Sequence, residues 1–285
     1  MSAPATALAR SAWRTAASLS LSGRIGLGFV VLWLAMAAFG PSVAPYPVGA
    51  VVASDVFGAF SWAHPLGTDY LGRDMLSRIM HGARFTIGLA LVAALAASVT
   101  GTSLALVAAT AGGWIDEAMS RVMDALISIP SKMLALVMVA AFGSSVGLLI
   151  LTAAVSYTPG AYRIARSLAV NVRALEYVQA ARARGEGLGY IARVEILPNM
   201  IHPMLADFGL RFVFVVLLLS GMSFLGLGVQ PPDADLGSLV RENISGLFEG
   251  APAVVMPAIA IATLTVSVNL LIDSLSGRAA RVAEN

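Results

Sequence analysis

The chain's only lysine, Lys132, sits in Ser131-Lys132-Met133. That setting rules out one kind of chemistry. A phosphate-cradling Walker loop needs a glycine frame ending in Gly-Lys-Ser/Thr, so that backbone N–H groups and the lysine together hold the nucleotide phosphates. The other 17 of the 18 basic residues are arginine, so no ATPase site is expected in this chain. With no cysteine there is no disulfide, thiolate metal site or cysteine nucleophile. His64, His81 and His202 share no ligand spacing and read as loop or interfacial histidines rather than a metal site. Serines are plentiful, among them Ser128, Ser131, Ser144, Ser145 and Ser156. No histidine falls in an apolar segment beside one of them, so they read as helix-packing residues and the chain as no enzyme.

The remaining ionisable residues point to structure rather than proton transfer. Asp207 and Arg211 are four apart on one helical face and are expected to pair. Lys132 has a stem long enough to snorkel toward headgroups, with a pore-lining role as the other reading. Asp273 falls near the inner end of an apolar segment and needs no pathway role. No segment centre carries the carboxylate or histidine chain of a proton relay, which weakens a proton-coupled carrier.

The elements that must position these residues are membrane helices. Of the 285 residues, 58% are hydrophobic and 12% charged, with mean hydropathy +0.83. Soluble domains carry about 25% charged residues, so lipid must cover much of this surface. The net charge of +2 leaves no basic patch for nucleic acid. A span needs roughly 20 apolar residues, and six are expected near 25–43, 85–110, 125–142, 146–161, 204–227 and 254–275. Gly143-Ser144-Ser145 makes a tight hairpin of the third and fourth. The first span is read as a retained anchor rather than a cleaved signal, because a long leader precedes it and five spans follow. With both termini inside, 12 arginines lie on the inner side, Arg10 and Arg14 among them. Four lie outside, namely Arg73, Arg78, Arg84 and Arg241. The outer loops are 44–84 and 229–252, the second with room for a short helix.

Segment 161–203 is too polar to span lipid and too rich in helix formers to be a floppy linker. Residues 173–184 read as about three helical turns ending at Gly185, a natural C-cap. Gly185, Gly187 and Gly189 break the chain, and 188–197 reads as a second short helix stopped by Pro198. Two short helices on a glycine hinge make a lever at the membrane surface, and Ala180, Ala181 and Ala183 leave room for another backbone. The residues alone equally allow an amphipathic loop lying on anionic headgroups.

Gln179-Ala180-Ala181, Gly185 and Leu197-Pro198 resemble the signature loop of binding-protein-dependent ABC permeases, which reads Glu-Ala-Ala, three residues, Gly, nine residues, Ile, one residue, Leu-Pro. Gln179 stands where glutamate is usual, and Glu195 where isoleucine is usual. The segment His64-Pro65-Leu66-Gly67-Thr68-Asp69-Tyr70-Leu71-Gly72-Arg73-Asp74 is similar to one in "C"-type permeases for dipeptides, oligopeptides and nickel. So are Gly112-Gly113-Trp114-Ile115-Asp116, Ser128-Ile129-Pro130-Ser131, Ser223-Phe224-Leu225-Gly226-Leu227-Gly228-Val229-Gln230-Pro231-Pro232 and Asn269-Leu270-Leu271, in matching order. The tail departs, lacking the Asp-Pro-Arg stretch common in that group.

The resemblance implies an all-α polytopic membrane protein with six transmembrane helices in the type I ABC importer permease fold. It implies a leader, first helix and outer loop in 1–81, a permease domain in 82–275 with coupling loop 161–203, and a tail in 276–285. Glu176, Gln179, Ala180, Ala181, Arg182, Gly185, Leu188, Leu197 and Pro198 would form the ATPase-coupling loop. The implied partners are a homologous "B"-type permease, two ABC ATPases holding ATP and Mg, an extracytoplasmic solute-binding protein and the lipid of a bacterial inner membrane. No cofactor is expected on this chain. Peptides are the leading solute, with nickel, opines and other small solutes open. A self-contained secondary transporter is disfavoured because the halves show no inverted pairing. A membrane scaffold would use the loop as a docking site without moving solute.

Overall fold

A computed structural model describes residues 19–283, with side chains through Ser276. Arg10 and Arg14, counted above toward the inner side, lie outside the described residues, as do the last two residues. The described chain is built of helices, with two isolated β-bridges near the start of the second helix and no strand. Helix α1 is Leu21–Val43, α2 is Met75–Ala111, α3 is Gly113–Ile127, α4 is Ser131–Phe142 and α5 is Val146–Arg173. Then come α6, Glu176–Ala183, α7, Leu188–Phe224, and α8, Leu236–Glu242, before a 3-10 turn at Ile244–Leu247 and α9, Pro252–Ala283.

Four helices, α1, α2, α7 and α9, are long and apolar enough to cross a membrane, and the bent pair α3–α4 makes a fifth candidate. The sequence-based count of six is therefore not reproduced as drawn. The expected third span, 125–142, is broken by a bend of 81° between α3 and α4. Pro130 has no N–H and forces the residue before it out of the helical region, which ends α3. The expected fourth span does not stop at 161. Helix α5 is 28 residues long and runs on to Arg173, with Arg163, Arg166 and Arg173 in its last three turns.

Helix α2 is the axis of the bundle. Its 37 residues would extend about 55 Å, well beyond a hydrocarbon core of about 30 Å. It begins ten residues earlier than the apolar run, because Asp74 caps it by accepting from the Ser77 N–H at 2.8 Å. One face is a row of buried alanines, from Ala90 to Ala109. Gly101 on that face sits so close to α5 that a Cβ would lie 2.6 Å from the Ala161 Cβ and 2.8 Å from the Thr158 carbonyl. Membrane helices gain little from burying apolar surface against one another, so such close packing of small residues is what holds α2 to α5.

At one end of the bundle the two loops read as outer are joined by buried charge. Asp69 Oδ2 accepts from Arg73 Nε at 2.6 Å and Arg78 Nη1 at 2.7 Å. Glu242, at the end of α8, accepts from the same two guanidinium groups at 3.2 and 2.8 Å. The Tyr70 N–H donates to Asn243 Oδ1 at 3.1 Å. Two cations facing two carboxylates leave the cluster neutral, which is what its burial requires. The same end holds Asp235, whose carboxyl burial raises above the usual range although Ser223, Ser238 and Gly237 donate to it.

Asp69→Ala would leave Arg73 and Arg78 with Glu242 alone in a buried site. Breaking a buried pair from one side costs about 3–5 kcal/mol, so thermal unfolding in detergent is expected to shift to a clearly lower temperature. An unchanged midpoint would contradict the cluster's role.

Candidate functional site

The signature-loop residues lie at the opposite end of the bundle. Helix α6 is only 8 residues long, and Arg173 and Ala174 are not part of it. Too short to be stable alone, it is fixed along its inner face and at its end. Val178 and Ala181 are fully buried, and Val178 packs into a cluster with Tyr162, Ile191, Ile196 and Met200. Gly185 ends the helix at φ 84, a left-handed conformation that costs an L-residue about 1–2 kcal/mol. The Glu186 N–H reaches the Ala181 carbonyl at 3.2 Å and the Gly185 N–H the Arg182 carbonyl at 2.9 Å, the paired bonds of a Schellman cap.

Three polar side chains pin this helix and its neighbour to the membrane helices. Gln179 Nε2 donates to the Arg173 carbonyl at 2.9 Å, closing the last turn of α5. Arg182 Nη2 donates to the Thr110 carbonyl at 3.0 Å, and Arg173 Nη1 to the Ala109 carbonyl at 2.6 Å. Those carbonyls belong to the last turn of α2, where the helix dipole is negative and no intrahelical donor remains. Two guanidinium groups thus share one helix end. Burial and the charge of Arg173 together lower the Arg182 pKa from its ordinary value. An ionised glutamate at 179 has no proton to donate, so the bond to the Arg173 carbonyl depends on the glutamine.

The outward face of α6 shows Glu176, Tyr177, Gln179 and Ala180, and across the Gly185 turn Leu188, Tyr190 and Val194 are also exposed. Ala180 and Ala181 therefore do different jobs. Ala180 leaves room on the outside, whereas Ala181 fits the helix onto its own bundle. Glu195 is half-buried, with Arg184 at 4.0 Å.

The expected second short helix does not exist as such. Gly189 lies inside α7, and the chain continues through Pro198 to Phe224 without a stop. Residues Ile191–Ile196 form a π-helical turn, with the Leu197 N–H bonded to the Ala192 carbonyl. This wider turn places Pro198 at the start of the next α-helical stretch, where the missing N–H and the ring are tolerated. Leu197 and Pro198 accordingly lie along α7, roughly 13–15 Å of rise beyond Leu188, away from the exposed knob. The pattern reading missed Val178, Ile191 and Ile196, the seat of the lever. Val178 is hidden among alanines, and Ile191 and Ile196 are five apart, a spacing set by the π-helical turn rather than by an α-helical period.

Between α3 and α5 lies a cleft of about 350 Å³ lined by Ser120, Asp124, Tyr162, Arg163, Arg166 and Asn171 among others. Arg166 forms a two-pronged bond to Asp116 at 2.5 and 2.6 Å, and Arg163 meets Asp124 at 3.0 Å. The segment Gly143-Ser144-Ser145-Val146-Gly147 has the Gly-x-Ser-x-Gly spelling of a nucleophile elbow. Here it joins two helices, and the Ser145 hydroxyl caps α5 by accepting from the Leu148 N–H at 3.2 Å. No group of three or more His, Asp or Glu among the described residues is placed to hold a metal ion.

Long helices packed through small residues, with a short polar helix fastened across their ends, make a multi-pass membrane bundle. Two solved structures share the fold. One is an inward-facing MetNI methionine ABC transporter, with TM-score 0.54 and 14% identity, covering 68% of this chain and 94% of that one. The other is an amino acid ABC transporter with histidines, with TM-score 0.53 and 18% identity, covering 72% and 93%. Residues 100–281 match the binding-protein-dependent transport system inner membrane components, and the chain belongs to that family. It is 31% identical to the glutathione transport system permease protein GsiD of Pectobacterium atrosepticum, over 93% of this chain and 88% of that protein. It is 30% identical to the dipeptide transport system permease protein DppC of Alkalihalophilus pseudofirmus, over 88% and 83%. The di/tripeptide permease DppC of Pseudomonas aeruginosa is also 30% identical, over 88% and 84%.

Arg182→Ala removes the tie between α6 and the end of α2. A hydrogen bond from a charged donor contributes about 1.5 kcal/mol at the low end of its range, so amide exchange across Glu176–Ala183 is expected to speed up about tenfold. Unchanged exchange there would mean the tie does not hold the helix.

Proposed function

We propose that this chain is the permease subunit of an ATP-driven importer, forming half of the translocation pathway beside a homologous "B"-type permease. Of two ABC ATPases, which hold ATP and Mg, one would dock on α6 and the other on the partner permease, and an extracytoplasmic binding protein would deliver solute at the opposite end. The observation that carries this reading is α6 itself, a short helix with an exposed face, fixed to α2 and α5 and followed directly by α7. Its Glu176, Tyr177, Gln179 and Ala180 would enter a groove on an ATPase, with Leu188 at the rim. Closure of the ATPase pair would displace α6. Arg182 and Arg173 would pass the displacement to α2, and the unbroken α7 would carry it to the far end. The pathway would then switch from inward-open to outward-open, a two-state element biased by nucleotide. No step needs a cofactor on this chain.

The family supports a bacterial inner membrane setting, and the arginine bias supports both termini on the cytoplasmic side. The relatives named for dipeptides, di/tripeptides and glutathione support short peptides as the solute, and the pocket of the binding protein would choose among them.

Gly185→Pro tests the lever, because proline fixes φ near −65° where the chain needs 84. The wild-type protein is expected to bring down an ATPase on purification, and the variant to lose at least about nine tenths of nucleotide-driven peptide uptake in proteoliposomes. If no ATPase co-purifies, or the variant transports normally, the assignment is wrong.

A further inference from the structure

Asp207 and Arg211 take no part in the coupling surface, yet both are buried in α7, each about 6% exposed. Arg211 Nε and Nη2 hold the two Asp207 oxygens at 2.6 and 2.8 Å. The remaining arm, Nη1, crosses to α5 and donates to the Tyr157 carbonyl at 3.0 Å. That contact falls two residues before Pro159, the proline inside α5. Pro159 has no N–H to return to the Val155 carbonyl, so the helix ladder lacks one bond there. Gly160 follows it, and a Cβ there would sit 2.7 Å from Arg211 Nη1. Tyr157 is held to α7 a second time, its hydroxyl donating to the Phe214 carbonyl at 3.1 Å and its ring stacked on Phe214 at 6.3 Å.

A buried ion pair is poor evidence of added stability, since apolar residues of similar size do as well or better. What the guanidinium supplies is a rigid planar fork with fixed directions, of which two prongs are set by Asp207 and one is aimed at α5. We infer that Asp207, Arg211 and the Gly160 clearance on α5 form a joint that makes α5 and α7 move as one body when α6 is displaced. The inference rests on the importer reading above. It assigns positioning roles to Asp207, Arg211 and Gly160 for passing motion along the bundle.

The test uses the complete transporter in proteoliposomes with two variants. Gly160→Ala pushes the fork off α5 without touching a charge. The double variant Asp207→Asn/Arg211→Gln removes both charges together, so no lone charge is left buried. Both are expected to keep nucleotide hydrolysis while uptake per ATP falls at least about fivefold, the low end of typical coupling between sites. Spin labels at Ile164 on α5 and Leu205 on α7, both exposed, are expected to show a broadened distance distribution in each variant. Normal uptake per ATP, or an unbroadened distribution, overturns the joint. So does a parallel loss of uptake, hydrolysis and assembled complex, which would make the cluster structural only. If the wild-type complex itself shows no nucleotide-driven uptake, the importer reading fails instead. The label distances then decide the joint on their own.

Discussion

Hydrocarbon offers no hydrogen bonds, so every backbone group freed at a break or end of a membrane helix must find its partner within the protein. The bundle is organised by how that demand is met. At the end of α2 the Ala109 and Thr110 carbonyls are taken by Arg173 and Arg182. Beside Pro159 in α5, Arg211 reaches across from α7 and adds a donor to the Tyr157 carbonyl. At Pro198 a π-helical turn rearranges the ladder. In the first two cases the donor arrives from another helix, so satisfying the backbone also ties two elements together. The ties fall where relative motion of the elements would have to be controlled.

The two ends of the bundle are built differently. The Asp69, Arg73, Arg78 and Glu242 cluster is closed on itself, neutral and buried, and it makes one unit of two distant loops. The α6 end is held by single hydrogen bonds to carbonyls and by a small apolar seat around Val178 and Ile196. It also leaves Tyr177, Leu188 and Tyr190 exposed. A rigid cap at one end and a lightly tied lever at the other suit a machine driven from the lever.

Much of this was legible in the sequence. Composition and apolar runs gave a membrane bundle. Gly185 gave the end of α6 through its C-cap pattern, and the i, i+4 spacing gave the Asp207–Arg211 pair. Proline was where the pattern misled, because its effect depends on what the neighbouring backbone can do. Pro130 ends a helix, whereas Pro198 is absorbed by a π-helical turn and Pro159 stays inside a continuous α5. A stop drawn at Pro198 cut α7 in two and hid the direct link from lever to membrane. The arginine-to-carbonyl ties were equally hidden, since a backbone acceptor has no residue type for a charge pattern to detect. Arg173 and Arg182 could be counted for topology but not placed. The small-residue contact at Gly101 is likewise a matter of three dimensions.

The chain's lack of cysteine makes the central claim directly measurable, because one introduced thiol is unique in this subunit. Cross-linking from Ala180→Cys, on the outward face of α6, to the ATPase in the assembled transporter reads docking at a single position. The account predicts an efficient cross-link from Ala180→Cys whose yield changes when nucleotide is bound, and none from Ala181→Cys on the buried face. Equal yields from the two positions, or a yield from Ala180→Cys that ignores nucleotide, would contradict it.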